Sequence, residues 1–342
     1  MDFGQSYGLR YPRRSFTRRR CRGDEEGTTA LSTTDEPRPG GLLRLLDLDT
    51  VEPDVFVAPT PAEGPPRLFG GQVASQSLRA ATLTVPEDRF VHSLHSYFIR
   101  PGRPDTDLRL VVERIRDGRS FATRRVTAVQ GDEAIFVLDA SFHVAEEGYD
   151  WHVEAPPLAP GPDDLDVDGP MGPGAIPPWV KEAIDARRAS GEATDAEIDQ
   201  MLERARSMRR GGPFGGLFDM RPLHTEGGFR PHPSWIRSTQ PIGDDPALQA
   251  CALTFVSDMA VVRSARAPGS DHSGWGGASL DHAVWFHRPF RVDDWLLFSV
   301  DPVTNHGARG LAKGSFHTID GTLVASFVQE CLLRSTGGPP PP

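Results

Sequence analysis

The sequence predicts an α+β protein made of two tandem copies of one domain, each a helix followed by a meandering antiparallel sheet. The motif His95-Ser-Tyr-Phe98-Ile-Arg100-Pro101 returns as His282-Ala-Val-Trp-Phe286-His-Arg288-Pro289, and the triplet Ala140-Ser141-Phe142 returns as Ala325-Ser326-Phe327. The Arg-Pro pairs lie 188 residues apart and the triplets 185, a spacing too long for a solenoid repeat. A chain of 342 residues with 38% hydrophobic residues is long enough for two such cores. Shared residues account for a shared fold, so polar residues present in one copy only are the first candidates for chemistry.

The elements follow in order. Arg10, Arg13, Arg14, Arg18, Arg19, Arg20 and Arg22 stand among Gly, Ser and Thr with little to bury. Residues 1–40 are expected to form a disordered basic tail, with an organelle-targeting or anion-binding arm as the other reading. The first domain, 41–153, opens with a short amphipathic element at Leu42–Leu48. Its helix begins at Gly70-Gly71 and carries small or apolar residues at Ala74, Leu78 and Ala81, which permit close approach to a sheet. Strands are predicted at Val91–Ile99, Leu108–Arg114, Phe121–Gln130 and Ala134–His143, with Gly- and Pro-containing turn signals between them.

Residues 154–217 read as a Pro/Gly-rich linker carrying two surface helices, Trp179–Arg188 and Thr194–Arg210. The second of these opens with the capping box Thr194-Asp195-Ala196-Glu197. A flexible lid is the functional alternative for this segment. The second domain, 218–335, has a strand-like Trp235-Ile236-Arg237 and then a helix over Ala247–Ala260, started by Asp245 as N-cap and Pro246 as first residue. That helix is apolar nearly all round, so it is expected to be buried. Asp258 near its end is the anomaly, because both burial and the helix dipole oppose its ionisation. Residues 336–342 are expected to be a short disordered tail.

Composition excludes several classes. A net charge of −10 argues against non-specific nucleic-acid binding by the body of the protein. No apolar run is long enough for a bilayer span and no signal-peptide core follows Met1, so a soluble, cytoplasmic protein without membrane association is expected. Cys21, Cys251 and Cys331 lack metal-ligand spacing and read as reduced thiols; no metal and no other cofactor is expected.

Leu68-Phe69-Gly70-Gly71-Gln72, Val91–Pro101, Arg116-Asp117-Gly118 with Ser120-Phe121, Asp281–Pro289 and Val324-Ala325-Ser326-Phe327-Val328-Gln329-Glu330 occur in this order across the two copies. Together they resemble the acyl-CoA thioesterase II family over most of 60–150 and 218–335. The resemblance implies a double hotdog fold, two helix-wrapped antiparallel sheets joined into one continuous sheet, and acyl-CoA as substrate. It also implies three site residues, Asp258, Ser279 and Gln329, all in the second copy.

Thioester hydrolysis needs a water aimed at the carbonyl carbon, a proton acceptor and donors for the oxyanion. Asp258 is the candidate base, with Gln329 and Ser279 orienting the water. No Gly-x-Ser-x-Gly elbow offers a serine nucleophile. Backbone N–H groups at Gly71 and Gln72 are candidate oxyanion donors, and Arg309 is a candidate for a CoA phosphate. Adjacent strand residues face opposite ways, which argues against Asp281 and His282 as a dyad. His92 and His95 read as structural. Two other functions stay open: a hotdog hydratase or dehydratase, although its Asp-x-Asn-Pro-x-His helix motif is absent, and a non-catalytic acyl-CoA binding protein. A homo-oligomer, a dimer or a dimer of dimers, is expected because sheet edges in such folds pair.

Overall fold

A computed structural model of the chain describes residues 41–60, 67–153, 155, 160–165, 178–191, 193–209, 216–223, 233–267 and 275–335. The arginine-rich segment 1–40, most of the Pro/Gly-rich stretch 154–177 and the tail 336–342 lie outside the described residues. The first half runs α1 (Gly41–Leu45), β1 (Asp49–Glu52), β2 (Val55–Ala58), α2 (Gly70–Thr82), β3 (Phe90–Phe98), β4 (Leu108–Asp117), β5 (Phe121–Gln130) and β6 (Glu133–His143). Two helices, α3 (Pro178–Ser190) and α4 (Asp195–Arg209), follow. The second half runs β7 (Phe218–Pro222), β8 (Ser234–Ser238), α5 (Pro246–Ser257), α6 (Val261–Ser264), β9 (Trp275–Ser279), β10 (Asp281–Phe286), β11 (Leu296–His306), β12 (Arg309–Thr318) and β13 (Leu323–Ser335).

All strands belong to one sheet, ordered β1-β2-β4-β5-β6-β3-β10-β13-β12-β11-β8-β7, with β9 also on β13. The order reads the same from either edge once the halves are exchanged, and the seam is the antiparallel pair β3·β10. This is the continuous double hotdog sheet the sequence predicts. The repeated motifs therefore pair with each other: Tyr97 sits opposite Asp281 and Ser93 opposite Trp285, one pairing written twice under the 188-residue offset. The shared arginines serve the fold in the same way. Arg100 Nη1 donates to Ala134 O at 2.8 Å and Arg288 Nη1 donates to Leu323 O at 2.8 Å, each closing a strand end onto the neighbouring hairpin.

Register corrects one feature of the repeat. Phe98 pairs with Phe136 and Phe286 with Ala325, while Val91 pairs with Phe142 and Ser279 with Cys331. The last strands are thus related by an offset of 189, not 185. The Ala-Ser-Phe triplets fall four residues out of equivalence, and the position matching Gln329 is Ala140 rather than the His143-Val144 pair that the triplets suggest. A slip of four residues keeps the same pleat face, so the alternation of apolar residues could not reveal it.

Helices α2 and α5 lie antiparallel against each other. Ser75 Oγ donates to Cys251 O at 2.7 Å, and Arg79 meets Asp245 at 3.7 Å. The N-cap is as predicted, with the Asp245 carboxylate accepting from Ala247 N at 2.8 Å. With α2 along one side and the sheet around the rest, α5 has no wet face, so its residues from Gln249 to Ser257 are all buried. One hydrophobic core spans both halves. In α4 the Thr194 backbone N–H donates to Glu197 Oε2 at 2.8 Å and Glu197 N donates to Thr194 Oγ1 at 3.3 Å, the reciprocal capping box. Cys251 and Cys331 are free and buried, and burial pushes both thiols up to about 12, too high for reactive thiolates. Cys21 lies outside the described residues.

Candidate active site

Asp258 is the C-cap residue of α5 and is only 6% exposed. Its own helix presents a negative end to it, yet the antiparallel arrangement brings the first turn of α2 to the same place. The Gly71 backbone N–H there hydrogen-bonds the carboxylate. Ser279, at the end of β9, donates from Oγ to Asp258 Oδ1 at 3.1 Å, and Gln329 on β13 donates from Nε2 to Ser279 Oγ at 2.8 Å. Three residues spread over 71 positions of sequence thus form one directed chain of hydrogen bonds ending on a carboxylate. Burial pushes the Asp258 carboxyl up to about 6, and the bonds from Gln329, Ser279 and Gly71 hold it back from rising further.

The first half has no copy of this chain. The register aligns Ser279 with Val91 and Gln329 with Ala140, and the C-cap position of α2 is Leu83 where that of α5 is Asp258. All three polar groups are replaced by apolar ones, so among the described residues this hydrogen-bonded chain occurs in the second half alone.

The other candidates are distributed differently. Gly71 is at the site, but its N–H is directed to Asp258 rather than to an open position. Gln72, proposed for its backbone N–H, does not line the cleft, and its side chain turns away, with Nε2 3.5 Å from Pro59 O and 3.4 Å from Gln76 Oε1. Arg309 pairs through Nε with Glu330 Oε1 at 2.9 Å and does not line the cleft that holds Asp258. Asp281 and His282 do face opposite ways: Asp281 Oδ1 accepts from Glu330 N at 2.6 Å, while His282 is fully buried against Ser257. His92 meets Ser141 Oγ at 2.8 Å, and the His95 ring meets Trp285 edge-on at 5.2 Å.

Asp258 and Ser279 line a cleft of about 650 Å3 together with Gly70, Phe98, Ile135 and Phe136 from the first half. Gly70 is required there, because a Cβ would sit 2.6 Å from Asp258 Oδ2 and 2.7 Å from the Phe98 ring. Beyond Asp258 the chain turns through Ala260, a non-glycine residue in the left-handed region (φ 64°), into the short α6. That reversal places Arg263 and Arg266 on the cleft, which Arg67 and Arg100 line as well. The Arg266 guanidinium is pulled below its ordinary value, by burial first and by neighbouring Arg263 second. Sequence reasoning missed this basic lining because α6 is four residues long and has no periodicity of its own. Among the described residues, no group of three or more His, Cys, Asp or Glu is placed to hold a metal ion.

Comparison with known proteins identifies the family of the chain. The family model described as acyl-CoA thioesterase matches residues 219–332, and that described as acyl-CoA thioesterase N-terminal domain matches 57–143. Acyl-CoA thioesterase 2 of Haemophilus influenzae is 31% identical over 296 residues, covering 86% of this chain and 96% of that protein. The crystal structure of an acyl-CoA thioesterase II from Mycobacterium marinum superposes with a TM-score of 0.65 at 35% identity, covering 86% of this chain and 99% of that one. A hotdog-fold protein from Alicyclobacillus acidocaldarius superposes with a TM-score of 0.60 at 17% identity, over 85% of this chain and 97% of that one, a likeness of fold.

Proposed function

Since the chain belongs to the acyl-CoA thioesterase II family and is an acyl-CoA thioester hydrolase, we propose that Asp258, Ser279 and Gln329 hold the water that attacks its substrate. The observation that carries this reading is the Gln329–Ser279–Asp258 chain opening onto a cleft. In the reaction, the water oxygen bonds to the thioester carbonyl carbon while the ionised Asp258 carboxylate takes its proton. The tetrahedral intermediate then expels CoA as thiolate, which recovers that proton from Asp258, leaving a free fatty acid. Gln329 and Ser279 fix the water's direction, which is an entropic contribution. The first turn of α2 reaches the cleft at Gly70 and turns the positive end of its dipole toward the developing oxyanion.

In this reading the modules are 41–153 and 218–335, joined by 154–217, and the protein works as a cytoplasmic homodimer or dimer of dimers without metal or cofactor. Among the described residues no helix is long and apolar enough to cross a membrane. Palmitoyl-CoA supplied with a thiol reagent tests the activity, and enoyl-CoA hydration followed separately tests the hydratase alternative. Thiol release without hydration is the expected result; hydration without thiol release would overturn the reading.

Two further outcomes follow. The base must be ionised, so kcat/KM should rise about tenfold per pH unit below the Asp258 value of about 6 and level off above it. A profile flat from pH 5 to 8 would remove Asp258 as the base. The CoA phosphates should meet the arginines lining the cleft, not Arg309. Replacing both Arg263 and Arg266 by Ala should raise KM roughly tenfold or more with a smaller change in kcat, the usual worth of a charged hydrogen bond. Arg309→Ala should leave KM within about twofold, since an exposed ion pair contributes little. The reverse pattern in KM would relocate the CoA site.

A further inference from the structure

The offset that aligns Ser279 with Val91 and Gln329 with Ala140 also aligns His282 with Leu94. A fourth polar residue thus occurs in the second half alone, and it is one the hydrolytic chemistry above does not use. His282 is fully buried at the seam of the two halves. Its Nε2 lies 2.7 Å from Ser257 Oγ, and Ser257 is the residue before Asp258. The Gln329 amide is a second polar neighbour of the ring. Its Nδ1 and Gln329 Oε1 are both buried, and among the described residues neither has a hydrogen-bond partner.

Those facts leave two self-consistent proton arrangements. Asp258, when ionised, can only accept, so Ser279 must spend its single proton on Asp258 Oδ1. Ser279 Oγ then needs a donor, and Gln329 supplies one only with its Nε2 toward Ser279 and its Oε1 toward His282. An imidazole protonated on Nε2 would face that Oε1 with a bare lone pair, leaving two buried acceptors opposed at a cost of about 1–3 kcal/mol each. It would also favour a flipped amide, whose Oε1 would draw the Ser279 proton away from Asp258. An imidazole protonated on Nδ1 offers Gln329 Oε1 the donor that both orphaned atoms lack, with Nε2 accepting from Ser257 Oγ. What it leaves short is Ser257's 2.9 Å bond to Thr254 O, and a carbonyl tolerates that better than most groups. Burial keeps the ring neutral, with its value pushed down to about 4.

We propose that His282 is a positioning residue: its Nδ1–H holds Gln329 Oε1 and so fixes the amide orientation in which Gln329 supports Ser279, Asp258 and the attacking water. With that bond made, the chain runs Ser257 to His282 to Gln329 to Ser279 to Asp258, each donor handing a hydrogen bond to the next. This deepens the hydrolytic reading and rests on it.

Nitrogen NMR of the histidine-labelled full-length protein, with His282→Asn used to assign the resonance, tests the tautomer without turnover. A neutral ring protonated on Nδ1 is expected, and protonation on Nε2 would overturn the proposal whatever the enzyme's activity. Kinetics supply the second arm. His282→Leu, which installs the first half's residue, should lower kcat on the order of 10- to 100-fold with KM for palmitoyl-CoA within about twofold, the usual worth of a group that orients a reacting one. His282→Asn, whose amide can still donate to Oε1, should recover most of that loss. In a Gln329→Ala background, His282→Leu should cost nothing more in kcat. A folded His282→Leu protein with the parent kcat, or an equal loss in both backgrounds, would refute it. If His282→Leu does not fold, the tautomer and the His282→Asn rate still decide. Failure of the hydrolytic reading looks different, since there Asp258→Asn would keep full turnover while the tautomer stayed as expected.

Discussion

Asp258→Asn is expected to lower kcat for palmitoyl-CoA by on the order of 10² to 10⁴, the usual worth of a positioned general base, and at the same time to raise thermal stability at neutral pH. The two effects have one cause. In the fold the carboxyl is pushed up to about 6 from an ordinary 3.8, mainly by burial. A group with a raised folded value contributes its stability below the unfolded value and loses it as pH rises through the folded one. Ionising Asp258 therefore costs the native state about 3 kcal/mol above pH 6, at about 1.4 kcal/mol per unit. Asn keeps the shape and never ionises, so its melting temperature should exceed the parent's at pH 7 to 8 and converge with it near pH 4. Gln329→Ala should lower kcat comparably by losing water orientation, and Ser279→Ala should lower it less, because solvent can replace one hydroxyl among several donors. Full turnover by Asp258→Asn would end this account of the site. A melting difference independent of pH would mean the carboxyl is not held against ionisation.

Gly71→Ala is expected to be the most damaging single methyl addition near the site. The new Cβ would lie 2.3 Å from the Phe255 carbonyl oxygen and 2.5 Å from the Phe69 ring. The ring could rotate, but the carbonyl is backbone of α5, so α2 and α5 would have to separate. Overpacking of that kind costs about 1–3 kcal/mol or more. Here it would also carry the Gly71 N–H away from the Asp258 carboxylate and break the edge contact of Phe69 with Phe255, now 5.1 Å between centroids. Both melting temperature and kcat should fall. Gly148→Ala is the matched control, since nothing lies within 4 Å of a Cβ there. Equal behaviour of the two variants would mean that the close approach of the helices does not matter.

Much of this was legible in the chain. The repeated Arg-Pro motifs announced two copies because each Arg anchors a hairpin carbonyl, a local requirement met twice. Asp245-Pro246 marked the start of α5, and its apolar circumference announced its burial, since no other environment tolerates such a helix in water. The resemblance singled out Asp258, Ser279 and Gln329, and the fold brings these side chains together. Strands β1 and β7 were not legible. They are short edge strands, and the first, Asp-Thr-Val-Glu, is exposed throughout, so no alternation of polarity sets it apart from a loop.

What the sequence determined by itself was everything set within a few residues along the chain: caps, turns, periodicity, the second half's excess of polar groups and the class of chemistry they suit. What only the tertiary structure decided was which residues face each other across strands. Register made Ala140, rather than the His143-Val144 pair, the first half's equivalent of Gln329, and turned His282 from a rejected dyad partner into a neighbour of Gln329. The antiparallel docking of α2 on α5 set the Gly71 N–H against Asp258, and a left-handed turn at Ala260 brought Arg263 and Arg266 to the cleft in place of Arg309. These are long-range choices, fixed by hydrogen bonds and close contacts between segments distant in sequence, and a one-dimensional pattern that repeats every two residues reads the same under any even slip of register.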